Sequence, residues 1–370
     1  MANFKLTSAS DKQVWSADYT KEYVRESGFQ PYMSTSKTAI IRMDKSLGSQ
    51  AGSLVHFPYF KRLTGAGVSG STTLKGQEEA LLNHSAAVRV AHVRNAVNVP
   101  EDQTFRTEID IANVARDSLK SWSAEKLRDD LITAGQSIVI KGANDADGNP
   151  LEDTYVPYAT ATAAQRNAHL VNNTDRVLVG SVRANTTSGV MATALATVTA
   201  AQKLSAGVLQ MAKTMARTST TFKIRPYRSD ATAGREWFVL FVGPEGFRDL
   251  SVDPIIYAAN KDSRDRGLAD NPIFQSGDLI YNGIIIREIP EMPVVGAVGA
   301  SGAVVGQAFL CGQGALAVAY AKMPEPRIQK EDYEHLYGVG ITEIRGQIKL
   351  SAAGVQTGMV SVFHAAAPDA

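Results

Sequence analysis

Hydrophobic and polar positions along this chain follow two periods, and the change from one to the other falls at glycine and proline. Near the start, Trp15, Tyr19 and Tyr23 recur every fourth residue. With Asp11 as cap, that spacing predicts a short helix with one aromatic face, stopped by Gly28 and Pro31. Three aromatics on so short a helix need a partner surface, which a neighbouring subunit can supply. Ser53 to Phe60 alternates and predicts a strand, confined to an edge by Pro58. Ala87 to Val99 predicts the returning strand, through Val88, Val90, Val93, Val97 and Val99. Between them lie Gly65, Gly67, Gly70 and Gly76 with Ser69, Ser71, Thr72 and Thr73. Such a segment has too little apolar surface to fold on itself. It predicts a long hairpin whose tip projects into solvent or onto something else.

The period then lengthens. Pro100 is expected to open a long helix in which Phe105, Ile109, Ala112, Ala115, Leu119 and Trp122 form one stripe, extended by Leu127 and Leu131 towards Gly135. Some thirty residues at about 1.5 Å each make a rod of about 45 Å. In the second half, Arg176 to Val182 is strand-like, and Val198 to Met215 predicts a helix through Leu204, Val208, Met211 and Met215. Trp237 to Val242 is a continuous apolar run, suited to a strand buried on both faces. Gly243-Pro244 opens a further helix. Asp278 to Ile289 holds Asn282-Gly283, the strongest hairpin signal in the chain. Further strands are expected at Ala308 to Ala319, Ile341 to Leu350 and Met359 to Phe363. Long helices mixed with antiparallel pairs predict an α+β fold.

Composition narrows the chemistry. The 370 residues are 44% hydrophobic and 20% charged, enough for two compact lobes. Lys plus Arg number 38 against 37 Asp plus Glu, which argues against a general polyanion binder. The single cysteine, Cys311, excludes a disulfide within one chain and a Cys-based zinc site, and reads as a small buried hydrophobe. Met1 to Ser10 lacks the apolar core of a signal peptide, and no apolar run reaches membrane-spanning length.

Motifs with a chemical mechanism are incomplete. Gly65 to Gly70 fits G-x-G-x-x-G, but Ser71, Thr72 and Thr73 follow it and position 90 is Val, so neither the helix nor the distant acid of a dinucleotide site is expected. Asp145 to Pro150 starts like a calcium loop, yet its sixth position is Pro150 and its twelfth Val156. Glu78 and Glu79 sit in a loop where nothing orients them as an acid/base pair. They read as contact charges which, with Lys61 and Arg62, could make ion pairs between subunits.

An ordered set of segments carries a resemblance. Leu63-Thr64-Gly65-Ala66-Gly67-Val68-Ser69-Gly70 is followed by Leu74-Lys75-Gly76-Gln77-Glu78-Glu79-Ala80-Leu81, and then by Arg94-Asn95-Ala96-Val97. Later come Asn271-Pro272-Ile273-Phe274, Tyr281-Asn282-Gly283, Gly312-Gln313-Gly314-Ala315-Leu316, Asp332-Tyr333 and Gly338-Val339-Gly340. Over nearly the whole chain, this set resembles the major capsid proteins of tailed bacteriophages. The resemblance implies the tailed-phage capsid fold. Residues 1–47 would form an N-terminal arm and 48–99 an extended loop. Residues 100–175 and 321–370 would form a peripheral domain with a spine helix at 105–134, and 176–320 an axial domain.

The function implied is self-association into pentamers and hexamers of an icosahedral head shell around double-stranded DNA, held without sequence-specific binding. No catalytic, cofactor or metal site is expected, and no membrane. Expected partners are other copies of the chain, with portal and scaffolding or decoration proteins. Expected locations are the virion and, during assembly, the host cytoplasm. The residues expected between subunits are Trp15, Tyr19, Tyr23, Lys61, Arg62, Gly65, Gly67, Gly70, Lys75, Glu78 and Glu79. Two other classes stay open: a capsid decoration or scaffolding protein, and a soluble oligomeric enzyme.

Overall fold

The computed structural model describes residues 28–48, 52–71, 73–79, 81, 83–100, 111–143, 152–230, 235–262, 279–331 and 336–368. The aromatic helix expected at Trp15, Tyr19 and Tyr23 lies outside them, as do Phe105, Ile109, the Asp145 to Pro150 turn, Asn271 to Phe274 and Asp332-Tyr333.

In chain order, short strands β1 (Met33–Ser34) and β2 (Ile41–Asp44) precede a hairpin of β3 (Leu54–Phe60) and β4 (Asn83–Arg89). Strand β5 (Ala91–Pro100), helix α1 (Ile111–Gln136), strands β6 (Ile138–Ile140) and β7 (Thr154–Val156), helix α2 (Ala163–Asn172) and strand β8 (Val177–Val179) follow. Next come helices α3 (Met191–Leu195) and α4 (Ala206–Thr218), then strands β9 (Arg228–Asp230) and β10 (Arg235–Val242). Helices α5 (Pro244–Val252) and α6 (Pro254–Asp262) lead to β11 (Leu279–Tyr281) and β12 (Ile284–Glu288). The remainder is strand: β13 (Val305–Cys311), β14 (Leu316–Glu331), β15 (Leu336–Lys349), β16 (Ser351–Ala352), β17 (Val355–Gln356) and β18 (Met359–Ala365).

The chain divides into two compact units. One comprises Met1–Ser27, His92–Leu127 and Lys322–Ile344, the other Gly28–Ala91, Arg128–Ala321 and Arg345–Ala370. The larger unit is built on a sheet ordered β11-β12-β10-β13-β18-β8, with β9 also on β10. At its centre, Phe238 to Val242 have no exposed surface, as the uninterrupted apolar run predicts. β10 lies parallel to β12 and antiparallel to β13. Asn282 and Gly283 have φ of 46° and 73°, the left-handed pair that a two-residue β11–β12 turn needs. Helix α4 covers this sheet with Val208, Leu209, Ala212, Met215 and Ala216.

In the smaller unit, α1 buries Ala115 and Leu119 against Val339 and Ile341, with Ile111 and Trp122 packed alongside. In the larger unit β1 pairs with β2, and β2 with the start of β14 from Leu316 to Ala319.

Several expected boundaries differ. Pro100 is the last residue of β5, a strand end where a residue without an N–H is tolerated. The described helix runs from Ile111 to Gln136. The return of the hairpin begins at Asn83 and breaks at Val90, whose N–H closes the root by donating to the Ser53 carbonyl at 3.0 Å. Beyond that point the chain continues as β5. Helix α4 starts at Ala206, where the free backbone N–H is taken by the Asp253 carboxylate at 2.9 Å. Leu204 is buried ahead of the helix. Ala308 to Ala319 is two strands, separated by Gly312-Gln313-Gly314 with Gly314 at φ +60°. Finally, β18 lies between β13 and β8, so part of the segment expected to complete a peripheral sheet instead completes the sheet built from 177 to 311.

Candidate functional site

The hairpin is two objects. Its base pairs from Leu54↔Arg89 to Phe60↔Asn83. Alternation turns Val55, Phe57, Ala86 and Val88 inward, where they bury against Ala317, Ala319, Ile348 and Leu350. A side chain at Gly346 would collide with the Arg89 carbonyl, so glycine allows this close backbone approach. Arg42 stacks over the Phe57 ring at 5.3 Å. Tyr59 meets Phe222 edge-on at 5.1 Å. The base of the hairpin therefore has its core within its own chain. Four alternating apolar positions, with partners supplied far along the sequence, bury it.

The tip behaves differently. Phe60, Leu63, Leu74 and Leu81 are 57%, 60%, 61% and 62% exposed. Arg62, Lys75 and Glu78 are exposed and Lys61 is half-buried. Gly67, Gly70 and Gly76 have φ of +71°, +76° and +85°, with no atom near enough to touch an added Cβ. The G-x-G-x-x-G match thus lies in irregular chain that opens no helix.

One carboxylate organises this tip. Glu79 accepts the Thr64 N–H at 2.8 Å, the Gly65 N–H at 2.6 Å and the Thr64 hydroxyl at 3.2 Å. These donors hold its pKa below the ordinary carboxylate range, the Thr64 N–H contributing most and the Lys61 charge least. A Cβ at Gly65 would lie 2.8 Å from the Glu79 Oε2 atom, so the clasp also fixes a glycine. Glu78 accepts the Gly76 N–H at 2.7 Å. Backbone amides orient both carboxylates, each through its own donors. No periodic pattern signals this, because the partners are fourteen or fifteen residues apart in an irregular loop.

Other ionisable groups are buried in the larger unit. The Lys349 ammonium donates to the Ser137 carbonyl at 2.6 Å, and burial lowers its pKa to about 7. His169 takes the Val139 N–H on Nδ1 at 3.1 Å; burial, then the Lys349 charge, lower it to about 3. Cys311 is buried in β13, where desolvation raises its thiol pKa. Among the described residues no three His, Cys, Asp or Glu side chains converge as metal ligands, and no helix is long and apolar enough to cross a membrane.

Comparison with known proteins places these features in a family. A family model described as phage capsid protein matches residues 3–367. The major capsid protein of Pseudomonas phage KPP25 is 27% identical over 363 residues, covering 94% of this chain and 91% of that protein. Among solved structures, the capsid asymmetric unit of cyanophage Pam1 superposes with a TM-score of 0.89 at 37% identity, covering all of both chains. The capsid of Ralstonia phage GP4 shares the fold, with a TM-score of 0.72 at 21% identity over 98% of this chain and 97% of that one. A hairpin rooted in its own core, with an exposed apolar tip, on an α+β scaffold that matches phage capsid subunits from end to end identifies this chain as a member of the phage capsid protein family.

Proposed function

We propose that this chain is the principal shell-building subunit of a phage head, acting by self-association and not by catalysis. Copies close as pentamers and hexamers around double-stranded DNA, which the near balance of 38 basic and 37 acidic residues suits to enclosure without sequence-specific grip. The observation that carries this reading is the far end of the hairpin, where Phe60, Leu63, Leu74 and Leu81 are each more than half exposed in the single chain. Apolar surface gathered on one projection marks a contact to another molecule. Ring contacts between identical copies are heterologous, one surface meeting a different one. The tip therefore lies over an adjacent copy, across its spine helix and peripheral part.

On this reading residues 1–47 are the arm, 48–99 the extended loop, 100–175 and 321–370 the peripheral domain apart from β18, and 176–320 the axial domain. Trp15, Tyr19 and Tyr23 on the arm, and Lys61, Arg62, Gly65, Gly67, Gly70, Lys75, Glu78 and Glu79 on the loop, serve the contact between subunits. Burying about 1,000 Å² of apolar surface per copy would contribute about 25 kcal/mol of gross transfer energy. Ordering chain at about 1–2 kcal/mol per residue offsets much of it. Each contact is modest and closure is collective. Portal and scaffolding or decoration proteins are the further partners, and assembly takes place in the host cytoplasm.

Deleting Gly65 to Gly76 should leave a folded subunit that no longer assembles. Sedimentation and electron microscopy of the purified protein read this out. Shells of normal size from the deletion would remove the hairpin from the mechanism, and failure of the unsubstituted chain to form any shell would remove the mechanism itself.

A further inference from the structure

At the base of the hairpin, within the larger unit, four cationic side chains line one pocket of ≈ 380 Å³: Lys37, Arg42, Lys223 and Arg225. No Asp or Glu stands among the described residues of its wall. The cations arrive in two pairs. Lys37 precedes β2, and Arg42 follows the buried Ile41 within that strand. After α4, burial alternates: Phe222 and Ile224 turn inward and leave Lys223 and Arg225 exposed. The backbone of this second segment is clamped at both ends. The Arg176 guanidinium donates to the Phe222 carbonyl, and the Gln313 N–H donates to the Arg225 carbonyl at 2.8 Å. Apolar side chains, Phe57 and Leu350 among them, complete the wall.

None of the four makes an ion pair among the described residues. Burial lowers the Arg42 pKa, and the Asp44 charge offsets this only in part. Asp44 itself accepts the Ser46 N–H at 2.7 Å and lies outside the pocket wall. Like charges gathered beside apolar groups repel one another and focus a positive potential into the space between them. A ligand of dense negative charge relieves that repulsion, and guanidinium forks match the paired oxygens of a phosphate group. A carboxylate brings a single charge to the same space. The volume falls within the range of about 300–1,000 Å³ typical of small-ligand sites. We infer that this pocket binds phosphate groups, with Arg42 and Arg225 gripping the oxygens and Lys37 and Lys223 neutralising the remaining charge. The chemistry has two sources, a free polyphosphate and the phosphodiesters of DNA. The site is complete in one chain and stands apart from the shell reading.

Calorimetric titration of the full-length protein with pyrophosphate, in chloride buffer at neutral pH, tests it. One pyrophosphate should bind per chain. Lys223→Gln with Arg225→Gln removes charge-assisted donors and should weaken binding about tenfold or more. Both side chains are exposed, so this variant should melt unchanged. If it melts lower, Lys37→Gln, at an exposed loop position, should still weaken binding. Lys141→Gln with Arg183→Gln removes the same charge from exposed positions outside the pocket and should leave binding unchanged. No binding, or equal weakening by the pocket variants and this control, would overturn the site. A hexaglutamate peptide that displaces pyrophosphate at lower concentration would overturn phosphate as the ligand class and assign the pocket to an acidic polypeptide. Competition with a short duplex separates the two phosphate sources. Displacement of pyrophosphate, lost in the Lys223 and Arg225 variant, assigns the site to DNA phosphodiesters, and failure to displace assigns it to a free polyphosphate.

Discussion

Glu79 takes its donors from Thr64 and Gly65, across the whole width of the tip. Its folded pKa lies below that of the free carboxylate, so its contribution is fully present above the ordinary carboxylate range and is lost only as pH falls through the lowered value. Glu79→Gln should speed hydrogen exchange at the Thr64 and Gly65 amides while leaving the global unfolding midpoint unchanged. Lys349 works in the opposite chemical sense. Its pKa is about 7 in the folded chain against the ordinary 10.5 of a lysine, so the unfolded chain binds more protons between those values. Stability therefore rises with pH across that window, on the order of 1 kcal/mol per pH unit. Lys349→Met should abolish this rise in a series of melts at pH 7 to 10. His169, lowered to about 3, adds a loss of stability as pH falls from about 6.5 towards 3. None of these roles is legible in the sequence. The Glu79 clasp and the Asp253 cap on Ala206 join positions unrelated by helical or strand spacing, and Lys349 takes the polar place between Ile348 and Leu350 in an alternating strand yet is buried.

Elements were legible where local chemistry decides them. The run from Phe238 to Val242, the Asn282-Gly283 turn and the Gly243-Pro244 helix start all stand where the pattern puts them. Ends set by distant partners were not: β4 gives way to β5 because the Val90 amide closes the hairpin root, and no motif announces that. The hairpin shows both cases. Its strand at 54–60 was readable from alternation, whereas its burial depends on Ala317, Ala319, Ile348 and Leu350. A mutational contrast follows from this division. Phe57→Ala, at a buried base position, should cost about 3–5 kcal/mol in urea unfolding. Leu74→Ser, at the exposed tip, should change unfolding by less than about 0.5 kcal/mol while reducing assembly. At the β11–β12 turn, Gly283→Ala would set a Cβ at 2.6 Å from the Glu236 carbonyl with φ at +73°, and should destabilise the subunit by more than about 1 kcal/mol.

For the molecule as a whole, the α+β class and the capsid resemblance were readable because they rest on the order of many segments, each weak alone. The basic pocket at the hairpin base was not readable, because its wall gathers residues from 37 to 357 that only the fold brings together. The same long-range closure has a consequence for timing during translation. Strand β18 sits between β13 and β8, so the large sheet stays open until residue 365 has left the ribosome. The hairpin base likewise waits for Ile348 and Leu350. A nascent chain therefore has neither a seated hairpin nor a finished sheet to offer its neighbours. Synthesis itself acts as a licensing step, and prematurely terminated products are kept from poisoning growing particles.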